Sequence, residues 1–164
     1  MIVERVRTAD ATTIRGEKTV IKHSIEVECS AEDVFAYLDD LERHREWQPQ
    51  IVSTTVETEG PVRVGTRVHE TRRIGSREMD TSYEITAHEP PHRSSFRGIA
   101  GPVRPVGTMT VEPIDGGAKS RVSIEFDLVG HGIGRLFAPM ARKQARATVE
   151  QNQQSLKAKL ETGS

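Results

Sequence analysis

Apolar side chains recur with a helical period near both ends of the chain and with a strand period between them. In residues 30–40, Val34 and Leu38, followed by Leu41, lie on one side of a helix. Ser30 stands where its hydroxyl can accept a hydrogen bond from the first turn, with Asp33 in capping-box spacing. This pattern predicts a short amphipathic helix early in the chain.

The last part of the chain predicts one long amphipathic helix over residues 134–160. Its inward side is only half apolar in the middle, because Gln144, Thr148 and Asn152 share a face with apolar residues on either side. Pro139 falls near the start and predicts a break or kink there, since proline lacks a backbone N–H. The uninterrupted part is therefore expected from about Met140 to Leu160.

Between these helices, apolar and polar residues alternate in short segments separated by turn residues. Gly-Ser at 75–76 and Asp-Gly at 115–116 suit tight hairpins, which make neighbouring strands antiparallel. A second short helix is expected over 42–46, because Pro49 ends helical structure soon afterwards. The predicted strands cover residues 20–28, 50–58, 65–74, 77–88, 93–99, 106–113 and 119–129. This order predicts an α+β domain in which a curved antiparallel sheet of six or seven strands wraps around the last helix and leaves a cavity.

Alternation within each strand assigns side chains to the inner face of the sheet. A phenol such as Tyr83 needs a hydrogen-bond partner when it is buried, either a ligand or a neighbouring backbone group. Phe126 either fills a close-packed core or lines the cavity. The candidate ligand-binding residues from the strands, from the segment after the first helix and from the last helix are Trp47, Met79, Thr81, Tyr83, Phe96, Met109, Phe126, Phe137 and Met140.

The third predicted strand carries ionisable residues on both faces. One face holds Val68, Glu70, Arg72 and Ile74, and the other holds His69, Thr71 and Arg73. The wall that this strand forms is therefore polar whichever face turns inward. It is either a solvated rim of the sheet or a place where Glu70 and Arg72, or His69 and Arg73, contact a polar end of the ligand.

Several motifs resemble the START-like, or polyketide cyclase/dehydrase-like (SRPBCC), superfamily. Residues 25–35 are similar to its entry strand and first helix, and Trp47-Gln48-Pro49 to its tryptophan–proline element. Residues 64–68 and 112–122 are similar to its hairpin elements. The resemblance covers roughly residues 20–160, within a START-like ligand-binding domain expected over 20–164, and leaves 1–19 as an arm of uncertain structure. It implies the helix-grip fold and a cavity for an apolar or amphipathic molecule, as in lipid carriers, hormone receptors, quinone-binding proteins and aromatic cyclases.

Composition narrows the function further. With 23 basic and 24 acidic residues among 164, the net charge of −1 gives no global field to recruit nucleic acid. No apolar run approaches the roughly 18 residues of a membrane span, so stable membrane insertion is not expected and the cytoplasm is the expected compartment. The histidines have no metal-ligand spacing and are expected at exposed strand ends, as is His88, while Asp39 and Asp40 are expected as solvated charges. No phosphate-binding loop or nucleophile elbow is present, so no metal or cofactor is expected.

Three functions fit these observations. The first is binding or carrying a small hydrophobic or aromatic molecule of the lipid, polyketide or quinone class. The second is a cyclase, dehydratase or hydrolase that acts on a polyketide-like or aromatic substrate, with Tyr83 and an ionisable pair of the third strand handling protons. The third is a protein-interaction module that uses the outer sheet or the last helix. The sequence leaves the oligomeric state open.

Overall fold

The computed structural model describes residues 19–163 of the chain. After β1 (Ile21–Val27) come α1 (Ala31–Asp39) and a 3₁₀ helix (Leu41–Glu46). The strands β2 (Ile51–Val56), β3 (Arg67–Ile74), β4 (Arg77–Glu89), β5 (Arg93–Ala100), β6 (Val103–Ile114) and β7 (Lys119–Gly130) follow. A short 3₁₀ turn (Asp115–Gly117) separates the last two strands, and α2 (Gly134–Thr162) ends the described part of the chain.

The strands form one antiparallel sheet in the order β1-β7-β6-β5-β4-β3-β2. The first strand therefore pairs with the last, and α1 and the 3₁₀ helix carry the chain from the β1 edge to the β2 edge. The curled sheet holds α2 against its inner face, which confirms the predicted helix-grip fold. The predicted arm over residues 1–19 lies outside the described residues, except for Thr19, whose hydroxyl donates a 2.8 Å hydrogen bond to Asp127.

Helix α1 begins where the sequence predicts, whereas α2 differs from the prediction at Pro139. The Ser30 hydroxyl accepts a 3.2 Å hydrogen bond from the backbone N–H of Asp33, as expected for a cap. Helix α2, in contrast, continues through Pro139 as one element. Pro139 lies in the second turn, where it removes a single backbone N–H from a helix of 29 residues, so the predicted break is wrong.

Two close-packed clusters form the ends of the space between sheet and helix. The larger cluster joins α1, β1, the end of β6, the beginning of β7 and the last turns of α2. Val34, Val122 and Leu156 are fully buried in it. The smaller one, at the beginning of α2, contains Ile74 and Val103. Because α2 is polar in its middle, the space between these clusters is not filled by helix side chains, and a cavity remains there.

Candidate ligand-binding cavity

The cavity lies between the inner face of the sheet and α2 and has a volume of about 180 Å³. A single buried water needs roughly 10–15 Å³ by a similar measure, so this space accommodates a molecule of several non-hydrogen atoms. Most of its wall is apolar and comes from α1, from β4 to β7, and from the small residues Ala141 and Ala145 of α2. Such a wall suits an apolar molecule.

The structure brings most of the predicted site residues together. The side chains that line the cavity include Trp47, Met79, Thr81, Tyr83, Phe96, Met109 and Phe126, together with Glu70 and Arg72. Two predicted residues lie elsewhere. Phe137 packs against the outer side of the cluster around Ile74 and Val103, and Met140 is 42% exposed. At this level of α2 the side chains that face the cavity are Ala141 and Gln144, so the prediction placed the inward side of the helix too close to its beginning.

The polar wall of the cavity is built around an ion pair on β3. The Glu70 side chain is buried, and the Arg72 guanidinium donates a 2.5 Å hydrogen bond from Nε to its carboxylate. A second guanidinium nitrogen of Arg72 donates a 2.7 Å hydrogen bond to Gln48 Oε1. Of the two faces that the sequence left open, Val68, Glu70 and Ile74 turn inward. Glu70 therefore lies inside the cavity wall, and Arg72, whose side chain is 34% exposed, lies where this wall meets solvent.

Tyr83 lies beside this pair and is buried, with 7% of the residue exposed. Its ring packs edge-on against Phe96 with the centroids 6.0 Å apart. Among residues 19–163, no group forms a hydrogen bond with its hydroxyl. Burial raises the pKa of Tyr83 strongly, the Glu70 carboxylate raises it further, and Arg72 opposes them. Tyr83 is therefore a neutral phenol at physiological pH and a hydrogen-bond donor without a protein partner.

His44 adds a third polar group that the sequence analysis did not single out. It lies on the 3₁₀ helix between Leu41 and Trp47, and its ring is 5.3 Å from the Trp47 ring, centroid to centroid. Residues three apart eclipse one another on a 3₁₀ helix, so Leu41, His44 and Trp47 share one side. Burial lowers the pKa of His44, against the opposing effects of its hydrogen bond to the Leu38 carbonyl and of Glu70. The spacing of these three residues was the available sequence signal.

A half-buried pair of a histidine and a carboxylate links β4 to α1. His88 Nε2 lies 2.9 and 3.0 Å from the two carboxylate oxygens of Asp39, and the His88 side chain is 12% exposed. The expectation that both residues are solvated is wrong. The pairing register shifts between Ile85 and Ala87, and this β-bulge turns His88 to the inner face.

Amide side chains of α2 hold the helix to the β2–β3 edge of the sheet. Gln144 accepts a 2.7 Å hydrogen bond from the Gly75 N–H and donates one of 2.8 Å to the Arg73 carbonyl. Asn152 donates a 2.9 Å hydrogen bond to the Gln50 side chain. These hydrogen bonds join α2 to the β2–β3 edge across the cavity, so this side of the cavity is polar.

Within residues 19–163, no three histidine, cysteine or acidic side chains lie close enough together to hold a metal ion. In the same part of the chain, no helix combines the length and the apolar character needed to cross a membrane.

The fold and the cavity define a START-like protein of the helix-grip class. The family model described as polyketide cyclase / dehydrase and lipid transport matches residues 18–161, and the chain belongs to this family. No curated protein matches the sequence.

Solved structures with the same fold include proteins of several bacteria. TTHA0849 of Thermus thermophilus has a TM-score of 0.73 and 18% identity, over 88% of this chain and 99% of that one. A START superfamily protein of Mycobacterium smegmatis has a TM-score of 0.72 and 16% identity, over 88% and 99%. The Zhui aromatase/cyclase of Streptomyces sp. R1128 has a TM-score of 0.68 and 17% identity, over 88% and 92%. At these identities the likeness shows the fold.

Proposed function

We propose that this protein binds a small, mainly apolar or aromatic molecule of the lipid, polyketide or quinone class in the cavity between the sheet and α2. The observation that carries this proposal is a cavity of about 180 Å³ whose wall is largely apolar and whose buried carboxylate, that of Glu70, is paired with Arg72. The family, described by polyketide cyclisation and lipid transport, supports the same class of ligand.

The polar wall indicates which kind of oxygen-containing group the ligand carries. The Tyr83 hydroxyl offers a hydrogen bond that no described residue accepts. The charge of Arg72 is already balanced by Glu70, and that carboxylate would repel an anionic ligand. A neutral acceptor such as a ketone or quinone carbonyl satisfies the phenol without this repulsion. We therefore expect a ligand with an apolar body and a neutral carbonyl at one end.

Three probes that share a naphthalene frame test this proposal. These are 2-acetylnaphthalene with a neutral carbonyl, 2-ethylnaphthalene without oxygen, and 2-naphthoate with a carboxylate. Isothermal titration calorimetry gives their affinities, and thermal unfolding reports stabilisation, because a ligand that binds the native state alone raises stability. We expect the ketone to bind about two- to twelvefold more tightly than the hydrocarbon, the net value of one neutral hydrogen bond. Failure of all three to bind would contradict the proposal.

Tyr83→Phe keeps the ring and removes the hydroxyl. The variant should lose the preference for the ketone and keep its affinity for the hydrocarbon. Tyr37→Phe is the matched control, because the other tyrosine lies outside the cavity and donates its hydroxyl to Glu46. A Tyr83→Phe protein that is less stable but still prefers the ketone would show that the hydroxyl serves the fold.

A cyclase or dehydratase is the second candidate. Tyr83, His44 and the Glu70–Arg72 pair converge on one wall of the cavity, and Glu70 and Arg72 are within hydrogen-bond reach of each other. This arrangement suits proton transfer to and from a carbonyl substrate in a partly dry site. Incubation with an aromatic poly-β-ketone, followed by mass spectrometry for loss of water, tests it. Product formed equally by the wild type and by Glu70→Gln would argue against a role for the pair.

A further inference from the structure

Three large apolar side chains are exposed where α2 begins. Leu136 is 77% exposed, Ile133 67% and Met140 42%. Their spacing of three and four residues places them along one side of the helix, and we refer to these three residues as the α2 tip. Single exposed apolar residues are ordinary, but three along one side at the start of one helix form an exposed apolar patch.

The surroundings of the tip are basic. The sequence contains no acidic residue between Asp127 and Glu150, and Arg135 and Lys143 fall within that interval, in addition to Arg142, whose charge is balanced by Asp127. Arg104 of β6 also lies near the start of α2, because it pairs with Val129 at the end of β7 and its Nε donates a 2.9 Å hydrogen bond to the Gly101 carbonyl.

The β3–β4 turn brings further positive charge to the tip. Gly75 of this turn lies against the Met140 side chain, and the Arg77 guanidinium lies 5.2 Å from the centre of the Phe137 ring. Two acidic residues of neighbouring strands are neutralised by partners of their own. Asp127 pairs with Arg142 at 3.0 Å, and Glu78 pairs with Arg73 at 3.3 Å.

A single layer of side chains separates the tip from the cavity. Phe137, which follows Leu136 in α2, packs on the cluster of Ile74, Val103 and Ala141. Those three residues themselves line the cavity. The exposed apolar patch therefore covers the end of the cavity that the Phe137 cluster closes.

We propose that the α2 tip docks on the surface of an anionic lipid bilayer and places the Phe137 end of the cavity at that surface. Exposed aliphatic side chains next to arginine and lysine are the combination that an anionic bilayer binds, through apolar burial and attraction to its headgroups. A symmetric dimer through the tip would bring two basic surfaces together. A nucleic acid would use the basic residues but leave Ile133 and Leu136 unburied. Exchange of a lipophilic ligand across this end rests on the proposed function, whereas docking does not.

Co-sedimentation of the full chain with vesicles tests the docking. Vesicles of phosphatidylcholine with phosphatidylserine should bind the protein, and vesicles of phosphatidylcholine alone should bind it much less. Added salt should weaken the binding, because exposed charges are screened. Ile133→Ser with Leu136→Ser should lower the affinity roughly tenfold or more, since each large side chain leaves the bilayer. Arg135→Gln should lower it roughly fivefold, as expected for one basic residue at a charged surface.

Val64→Ser is the matched control, because Val64 is 61% exposed and precedes β3, at the opposite end of that strand from the tip. It should sediment like the wild type. Equal losses for Val64→Ser and the tip variant would overturn the proposal, as would equal binding to both kinds of vesicle or binding to neither. So would a tip variant that changes only the oligomeric state in sedimentation velocity, or a duplex RNA whose binding depends on Arg135 but not on Leu136. In vesicle-free buffer the tip variants should keep their affinity for 2-acetylnaphthalene, which separates a failure of docking from a failure of the cavity.

Discussion

The imidazole of His44 and the backbone carbonyl of Leu38 form a buried hydrogen bond of 2.7 Å. A carbonyl oxygen only accepts hydrogen bonds, so Nε2 of His44 carries the proton and donates. This bond holds the 3₁₀ helix to the end of α1 and orients the ring beside the polar wall of the cavity.

The stability of the domain should decrease as pH falls below about 6.5, the ordinary pKa of histidine. Burial lowers the pKa of His44 in the folded protein, so the unfolded chain takes up a proton at a pH where the folded protein does not. Urea unfolding at pH 7.5 and 5.5 measures the change. His44→Gln, whose amide also donates, should show a smaller decrease than the wild type. His92→Gln, at an exposed position, serves as the control, and an unchanged pH dependence in His44→Gln would contradict this explanation.

Phe126→Ala should cost less stability than truncation of a close-packed residue. A fully packed phenylalanine loses about 3–5 kcal/mol on truncation to alanine, but the Phe126 ring borders the cavity and has fewer packing contacts to lose. Leu156→Ala is the matched comparison, because Leu156 is fully buried and should lose about 2–5 kcal/mol. Chemical denaturation gives both values. A full-size loss at Phe126 would identify that position as core and not pocket.

Arg72→Leu should destabilise the protein by about 3 kcal/mol, because it leaves the buried Glu70 carboxylate without its counter-ion. Glu70→Gln should cost less, and adding it to Arg72→Leu should restore part of the loss. The free energies of the single and double variants form a double-mutant cycle. Arg121→Leu is the control from an exposed pair with Glu26 and should cost less than about 1 kcal/mol. A loss in Arg72→Leu that Glu70→Gln does not relieve would show that packing, and not charge, is responsible.

Gln144→Ala should destabilise the protein by about 1–2 kcal/mol, because its amide makes two hydrogen bonds that join α2 to the β3–β4 turn. Gln154→Ala removes an exposed glutamine of the same helix and should have little effect. Thermal unfolding compares the two. Equal effects would mean that the bridge contributes nothing beyond the helix propensity of the residue.

The sequence predicted the fold well because the fold depends on periodicity and turn chemistry. Alternation placed Met79, Thr81 and Tyr83 on one face of β4, where the structure has them at the cavity. The beginning of β6 was harder to predict from the sequence, because a proline such as Pro105 is rare within a central strand. β5 pairs with β6 only as far as Val106, so the missing N–H of Pro105 is not needed on that side.

The site was less predictable than the fold because its details depend on single irregularities. One extra residue after Ile85 reverses the face of His88, and no local signal in the sequence marks that bulge. The sequence left the inward face of β3 open because each face carries charge, and the partners of the inward charges, such as Gln48 for Arg72, come from another segment of the chain. Phe137 shares one side of α2 with Ala141 and Gln144 but lies one turn earlier, where it packs on the cluster of Ile74 and Val103, and helical periodicity does not show where along α2 the cavity begins.

The pairing of β1 with β7 sets the time at which this protein can fold. Ile21 lies opposite Phe126, and the backbone N–H of Glu28 donates to the Glu161 carboxylate near the end of the chain. During synthesis β1 must therefore remain unpaired until β7 has left the ribosome. Contacts between such distant segments slow folding, because a long loop must close before they form. The apolar side chains of β1 and α1 thus remain open to chaperones and to aggregation until β7 and the end of α2 have been synthesised.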